Sequence, residues 1–395
     1  MIKRLLGSVR EYKKDSILSP IYVTIESILE IIIPTLMAYL IDRGVSKGDM
    51  SYVLRMGLVL VALAMLSLLT GFLAGRSAAI ASAGFAKNLR HDIFDNVLRF
   101  SFSNIDKFST ASLITRLTTD VTNVQNAYQV LIRMVVRAPV IIIFALIFSM
   151  RIDMQLSLIF LGIIPVLGMG LALIIAKAHP IFVRVFSTYD KLNNVVQENL
   201  RGIRVVKSFI REDYEKSKFA RISQLIYEDF TKAGRRLTYN MPLMQFSVYA
   251  CMLLLSWLGA KAIVASGNDA AAGLSTGELT SLITYTMQIL MSLMLLSIAF
   301  VMIIISRASA QRIAEVLAEK SDLANRENPV TTVKDGAITF ENVTFSYSKN
   351  AEKPVLDGVS FSIAAGETVG ILGGTGSAKS SLVQLIPRLY DVTSG

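Results

Sequence analysis

Six long apolar runs dominate the first 306 residues. They fall at about Ser16–Ile41, Val53–Ala74, Met134–Met150, Met154–Ala176, Pro242–Val264 and Leu279–Ser306. Each is near the ~20 residues that an α-helix needs to cross a bilayer core, so six membrane helices are expected. The second run carries no charge between Met56 and Gly75, whereas Arg133 and Arg137 interrupt the third. Only Arg151-Ile152-Asp153 separates the third from the fourth, which predicts a tight turn. Two connections are long and polar, yet apolar residues recur in them at helical spacing. Ile93, Val97 and Phe100 precede a break near Phe102–Thr110, and Leu113, Leu117, Val121 and Val124 follow it. Residues 184–236 repeat that plan around a break at Arg201–Arg211. Both predict helical hairpins that project from the membrane, with tips able to touch a soluble domain.

The pattern changes after Arg307. Ala308–Leu317 continues as an amphipathic helix, and residues 319–336 form a polar linker containing Pro329. Ala337–Phe345 and Val359–Ile363 then alternate with the period of two that marks strands. Turn residues occupy Lys349–Glu352 and Ala365-Gly366-Glu367. Glu367–Leu372 reads as a buried strand, and Leu382–Ile386 as the first turns of a helix. The expected organisation is a basic amphipathic segment (1–15), an all-α membrane domain (16–318), a linker (319–336) and the opening of an α/β domain (337–395).

Charge gives the orientation. Residues 1–14, 76–137 and 177–241 hold 26 Lys and Arg, against 5 in the connections on the opposite side. The long hairpins and the N-terminus are therefore cytoplasmic, and an even number of spans returns the chain to the same side. The net charge of +10 in a 53% hydrophobic chain is assigned to loops facing anionic membrane lipid rather than to nucleic acid. Two readings stand for the N-terminal segment, with Lys3, Arg4, Arg10, Lys13 and Lys14 around Leu5, Leu6 and Val9: a helix on the membrane surface, or a solvated tail with topogenic charge. The apolar stretch behind it is too long for a cleavable leader and reads as a retained span. The single cysteine, Cys251, excludes an intrachain disulfide, and His91 and His179 have no metal-ligand spacing.

Candidate chemistry sits between the last strand and the last helix. Gly373, Gly374, Thr375, Gly376, Ser377, Ala378, Lys379, Ser380 and Ser381 follow the P-loop order, in which a glycine loop wraps a phosphate. Lys379 would reach the terminal phosphates and the Ser380 hydroxyl would hold Mg²⁺. The strict pattern has glycine where this chain has Ala378; an alanine resists φ > 0 and its methyl group crowds the phosphate, so binding is expected to survive but weaken. A glycine-rich turn with a chance Lys-Ser is the bland alternative, and the flanking strand and helix argue against it. In the first span Glu26 and Glu30 share a helix face near mid-membrane. They either attract cationic amphipathic substrates in a central cavity or form a structural pair with Arg137. Met287, Met291 and Met294 run along the sixth span, as flexible cavity lining or as helix packing.

Together these segments resemble a half-transporter of the ABC exporter superfamily. The match rests on Ile338–Tyr347, Val355–Ile363, Gly366-Glu367 and the P-loop, on Phe108–Asp120, and on Glu198–Phe209. Pro34–Ala38 with Ile41-Asp42, and the run from Gly373 to Tyr390, look like bacterial heterodimeric multidrug exporters, which also carry a small non-glycine residue before the lysine. The resemblance implies a six-helix exporter membrane domain with long cytoplasmic hairpins, followed by the N-terminal part of a P-loop nucleotide-binding domain. It implies ATP and Mg²⁺ as cofactors, Tyr347 stacked on adenine, Ser381 on a phosphate, and coupling helices around Asn104–Ser112 and Val205–Glu212. It further implies a bacterial plasma-membrane location, a second half-transporter as partner (a heterodimer over a homodimer), an amphipathic, multidrug-type small-molecule substrate with lipid or peptide cargo as the alternative, and ATP hydrolysis by the full-length protein. The family's glutamine loop, signature sequence, Walker B carboxylates and switch histidine follow the P-loop and are not in this sequence. It looks like the N-terminal part of a longer protein, expected to be inactive alone. Two other readings stand beside the exporter: a regulatory half that binds nucleotide without hydrolysing it, and a P-loop kinase on a membrane anchor. The long hairpins and Tyr347 argue against the kinase.

Overall fold

The computed structural model describes residues 2–267, 273–323, 325, 329, 331–333, 335–348 and 351–395. Parts of the linker expected at 319–336, and Lys349 and Asn350 of the turn before Glu352, lie outside the described residues. In chain order the helices are α1 (Ile2–Leu6), α2 (Lys13–Tyr39), α3 (Met50–Leu98), α4 (Phe102–Phe108), α5 (Thr110–Thr115), α6 (Val121–Ile152), α7 (Met154–Arg201), α8 (Ile203–Ser208), α9 (Glu212–Thr238), α10 (Asn240–Ser266) and α11 (Thr276–Ala318). Strands β1 (Ile338–Phe345) and β2 (Leu356–Ile363) and helix α12 (Lys379–Leu385) complete the fold. Six helical segments are long and apolar enough to cross a membrane. Contacts divide the chain into two units: Lys13–Ser82 with Ala127–Ile304, and Met1–Tyr12 with Ala83–Asn126 and Ile305–Gly395.

The first unit holds the apolar lengths of the helices. Its core gathers Ile31, Ile141, Phe160, Leu255, Leu282, Tyr285 and Ile289, all nearly inaccessible to solvent. Arg133 and Arg137 do not break α6, because the helix satisfies its own backbone in lipid whatever its side chains carry. Pro34 inside α2 removes a backbone donor and frees carbonyls of the preceding turn. Side chains of α11 take them up: Gln288 Nε2 donates to Glu30 O at 3.2 Å and Tyr285 Oη to Ile31 O at 2.9 Å, while Ser281 Oγ donates to Pro34 O itself at 2.6 Å. At the far end Asp42 caps α11, accepting from Ser275 Oγ at 2.5 Å and Gly277 N at 2.9 Å. A Cβ on Gly277 would lie 2.5 Å from Ala38 O, so the two helices meet there backbone to backbone. The α7–α9 hairpin closes through a Phe182–Phe230 edge contact and Ile181, Val185 and Ala233. The short α8 turns its tip, where Phe209 and Ile210 are exposed and Ile210 has φ 51°.

In the second unit the end of α3 receives the N-terminal segment. Ser8 Oγ donates to Asp92 at 2.6 Å, Arg10 pairs with the same carboxylate, and Asn88 Nδ2 donates to Glu11 at 3.2 Å. Leu5 and Val9 are buried in this contact. The antiparallel β1–β2 ribbon pairs Ile338 with Ile363 and Phe340 with Phe361, whose rings stack at 4.5 Å. Phe340, Val343, Phe345, Leu356 and Leu385 form a small core between ribbon and α12. Glu367–Leu372 is a correction to the sequence reading. It forms no strand, and Leu372 is 96% exposed. A strand needs a neighbour to accept its ladder bonds, and the only described sheet is the β1–β2 ribbon.

Candidate nucleotide site and the polar cluster between the spans

The nine P-loop residues form one curl at the start of α12. Lys379 Nζ sits inside it, donating to Gly373 O at 2.8 Å, Gly374 O at 2.7 Å and Ser377 Oγ at 3.3 Å. A Cβ on Gly373 would lie 2.6 Å from Ser377 Oγ, and Gly376 has φ 84°, so both glycines are required by the curl. Ala378 caps α12 at φ 61°, ψ 17°, the left-handed region that alanine resists. Ser380 is exposed in the first turn of α12 and Ser381 is buried. The residue types suit a phosphate chain: the Lys379 ammonium is an anion partner once released from the loop oxygens that now hold it, and Ser380 offers an exposed hydroxyl beside it. The loop fits Mg²⁺ as a partner of that phosphate, because Ser380 offers a single neutral ligand and Mg²⁺ takes the rest from phosphate and water.

Tyr347 stands against the flank of α12. Its Oη lies 2.9 Å from Ser381 Oγ and donates to Gln384 Oε1 at 3.3 Å. Its ring meets Phe345 and Tyr390 edge-on at 4.8 and 5.1 Å. Tyr390, to which the sequence reading gave no role, donates its phenol to Asp106 Oδ2 on α4 at 2.9 Å. Burial, then the Asp106 carboxylate, push that phenol up to about 12. The side-chain hydrogen bond to Asp391, then its charge, raise Arg388.

Helix α4 is also tied to the end of α11. Ser101 and Asn104 form a capping box at its start. Asn104 Nδ2 donates to Glu319 Oε1 at 2.9 Å, Lys107 pairs with Glu319 at 2.8 Å, and Ser103 donates to Asp322 at 2.6 Å. Asn96 Nδ2 donates to Val316 O at 2.6 Å. Arg312 grips the fully buried Asp120, with Nε at 2.7 Å from Oδ2. The stretches 104–112 and 205–212, expected as coupling segments, lie on α4 with the start of α5 and on α8 with the turn after it.

Between the spans, Arg137 joins the two acidic candidates. Its guanidinium donates to Glu26 Oε1 at 2.8 Å and to Glu30 Oε1 and Oε2 at 2.8 and 2.7 Å. Gly71 makes room for Glu26, since a Cβ there would lie 2.9 Å from Oε1. Glu26 Oε2 and Gln288 Oε1 are buried acceptors without a hydrogen-bond partner among the described residues. Gln288 escaped the sequence reading, because it joins the cluster through a backbone carbonyl that Pro34 frees. Met287 and Met291 are exposed, whereas Met294 packs against Leu167, Leu171, Met244, Val248 and Leu290.

Six membrane helices continuous with a domain that opens as strand ribbon, P-loop and helix define a membrane transporter with an ATP-binding domain. Residues 16–293 match the ABC transporter transmembrane region family, and residues 356–395 match the ABC transporter family. An uncharacterized ABC transporter ATP-binding protein of Bacillus subtilis, YfiB, is 32% identical over 394 residues, covering 100% of this chain and 67% of its own length. Another of Mycobacterium tuberculosis, Rv1273c, is 31% identical over 397 residues, with 100% and 67% covered. The ATP-dependent lipid A-core flippase of Pseudoalteromonas translucida is 27% identical over 390 residues, with 99% and 66% covered. The chain belongs to the ABC transporter family and is a multi-pass plasma-membrane protein, with exporter-type membrane and ATP-binding domains. It spans about two thirds of the length of these relatives.

Proposed function

We propose that this chain is the membrane and ATP-binding half of an exporter that couples ATP hydrolysis to efflux of amphipathic small molecules. The observation that carries the proposal is the Lys379 ammonium wrapped by Gly373, Gly374 and Ser377 at the start of α12. Lys379 would exchange those loop oxygens for a phosphate, and the Ser380 hydroxyl would hold the accompanying Mg²⁺. Tyr347 would offer its ring to adenine, and Ser381, now 2.9 Å from the Tyr347 phenol, would contact phosphate. Bound Mg²⁺–ATP supplies a γ-phosphoryl group open to attack by water, with Lys379 stabilising the developing charge. A second half-transporter supplies the facing surface, and a different chain is preferred over a copy. Met287 and Met291 are proposed to line the substrate path, whereas Met294 in its helix packing and Glu26 and Glu30 in their pairing with Arg137 support the structural alternative for those three. One P-loop and six spans per chain make the pair the working unit.

The strain at Ala378 favours a second reading, in which this half holds ATP and its partner hydrolyses it. The flippase among the relatives makes lipid the alternative cargo. The test is titration with a fluorescent ATP analogue in detergent, in the presence of Mg²⁺. Wild type saturates and Lys379→Ala does not; equal binding by both removes Lys379 from the site. Steady hydrolysis with an intact partner then separates the two readings.

A further inference from the structure

Helix α6 carries two arginines one turn apart, and the fold treats them differently. Arg137 is held by Glu26 and Glu30. Arg133 is partly buried, yet it pairs with no carboxylate among the described residues. Its guanidinium lies against Gly75 of α3, where a Cβ would stand 3.8 Å from Nη1. Toward the cytoplasmic hairpin the two helices close on each other through Ala78, Ala81, Ile132 and Tyr128. Arg76 is the next residue of α3. It is exposed, and it too has no carboxylate partner among the described residues. Phe72, Leu69, Leu68 and Met65 precede it at helical spacing, so they share its face, and all four are exposed. All of these residues belong to the first unit.

The uncharged run of α3 from Met56 to Gly75 rises about 30 Å at 1.5 Å per residue, the thickness of a bilayer's hydrocarbon core. Arg76 therefore stands at the cytoplasmic boundary of that core, and the contact with Gly75 puts Arg133 at the same depth. An unpaired guanidinium at the edge of the hydrocarbon is costly, and the cost falls when the group reaches an anion in the headgroup layer. We propose that Arg76 and Arg133 form a site for the phosphate of an anionic phospholipid of the cytoplasmic leaflet, with an acyl chain lying along Phe72, Leu69, Leu68 and Met65. A guanidinium suits a phosphodiester because its planar fork donates to two oxygens at once. A headgroup of net charge −1 is preferred over a zwitterionic one, because choline brings a cation against two arginines. The site does not depend on the nucleotide reading or on the nature of the cargo.

The test is native mass spectrometry of the full chain in detergent, titrated with phosphatidylglycerol, phosphatidylcholine or inorganic phosphate. Wild type retains phosphatidylglycerol saturably and more tightly than phosphatidylcholine. Arg76→Gln and Arg133→Gln each weaken phosphatidylglycerol binding about fivefold, the factor that corresponds to about 1 kcal/mol per basic residue at an anionic lipid surface. The double variant no longer distinguishes the two lipids. Arg55→Gln, at the opposite end of the same apolar run, keeps wild-type retention. Excess inorganic phosphate leaves the bound lipid in place, since it has no chain to lay along α3; displacement by phosphate would make this a site for soluble oxyanions and overturn the lipid assignment. Arg76 is exposed, so Arg76→Gln keeps the wild-type Tm and carries the test even where Arg133→Gln does not fold. Equal phosphatidylglycerol retention by wild type and Arg76→Gln, or equal retention of the two lipids by wild type, overturns the proposal.

Discussion

Replacing Ala378 with glycine removes one methyl group from a residue held at φ 61°, ψ 17°. An L-residue pays roughly 1–2 kcal/mol to sit in this region, and part of that gain is offset by glycine's larger unfolded-state freedom. The net relief is about 1 kcal/mol, applied to the loop conformation that wraps Lys379. A binding-competent loop that is easier to hold raises apparent affinity by the same free energy, or about fivefold in Kd. Ala378→Val has the opposite sign, because a β-branched residue at positive φ is strained further. The assay is titration of detergent-solubilised protein with a fluorescent ATP analogue and Mg²⁺, comparing the three chains at one salt concentration. Equal Kd values for alanine, glycine and valine would refute the reasoning, since the φ at position 378 would then have no bearing on phosphate binding.

Two further outcomes follow from the membrane helices. Arg137→Leu leaves Glu26 and Glu30 without their shared cation, and breaking a buried pair costs about 3–5 kcal/mol. A large fall in Tm is expected, partly recovered when both carboxylates are also changed to glutamine; an unchanged Tm for the single variant would show the pair to be idle. Gly277→Ala pushes a methyl group toward Ala38 O and the Asp42 carboxylate, and overpacking of this kind costs about 1–3 kcal/mol. Its Tm should drop, while Gly162→Ala, where a Cβ meets nothing within 4 Å, should leave Tm in place.

Much of this architecture is legible in residue order. Span positions follow from apolar length, and the hairpin breaks at 102–110 and 201–211 fall where α4 and α8 turn the chain. Helical periodicity in the cytoplasmic stretches predicts what the 49-residue α3 shows, one helix running past the apolar run into polar sequence. The P-loop is equally local, because its curl needs only glycines, Lys379 and the turn into α12. What escapes depends on partners far away in sequence. Glu367–Leu372 has the alternation of a strand but no neighbour among the described residues to ladder with. Tyr390 and Asp106 lie 284 positions apart, and neither carries a pattern that points to the other. Gln288 acquires its role from Pro34, a backbone defect on another helix. The Glu26–Arg137–Glu30 cluster lay between these cases, since similar depth in the membrane is legible while side-chain reach is not.

The most direct measurement of the central claim is ATP-driven uptake of a fluorescent amphipathic dye into inside-out membrane vesicles carrying the protein with its second half-transporter. Uptake that requires hydrolysable ATP and disappears in Lys379→Ala is the predicted result. Uptake that proceeds without ATP, or persists unchanged in Lys379→Ala, would contradict the account.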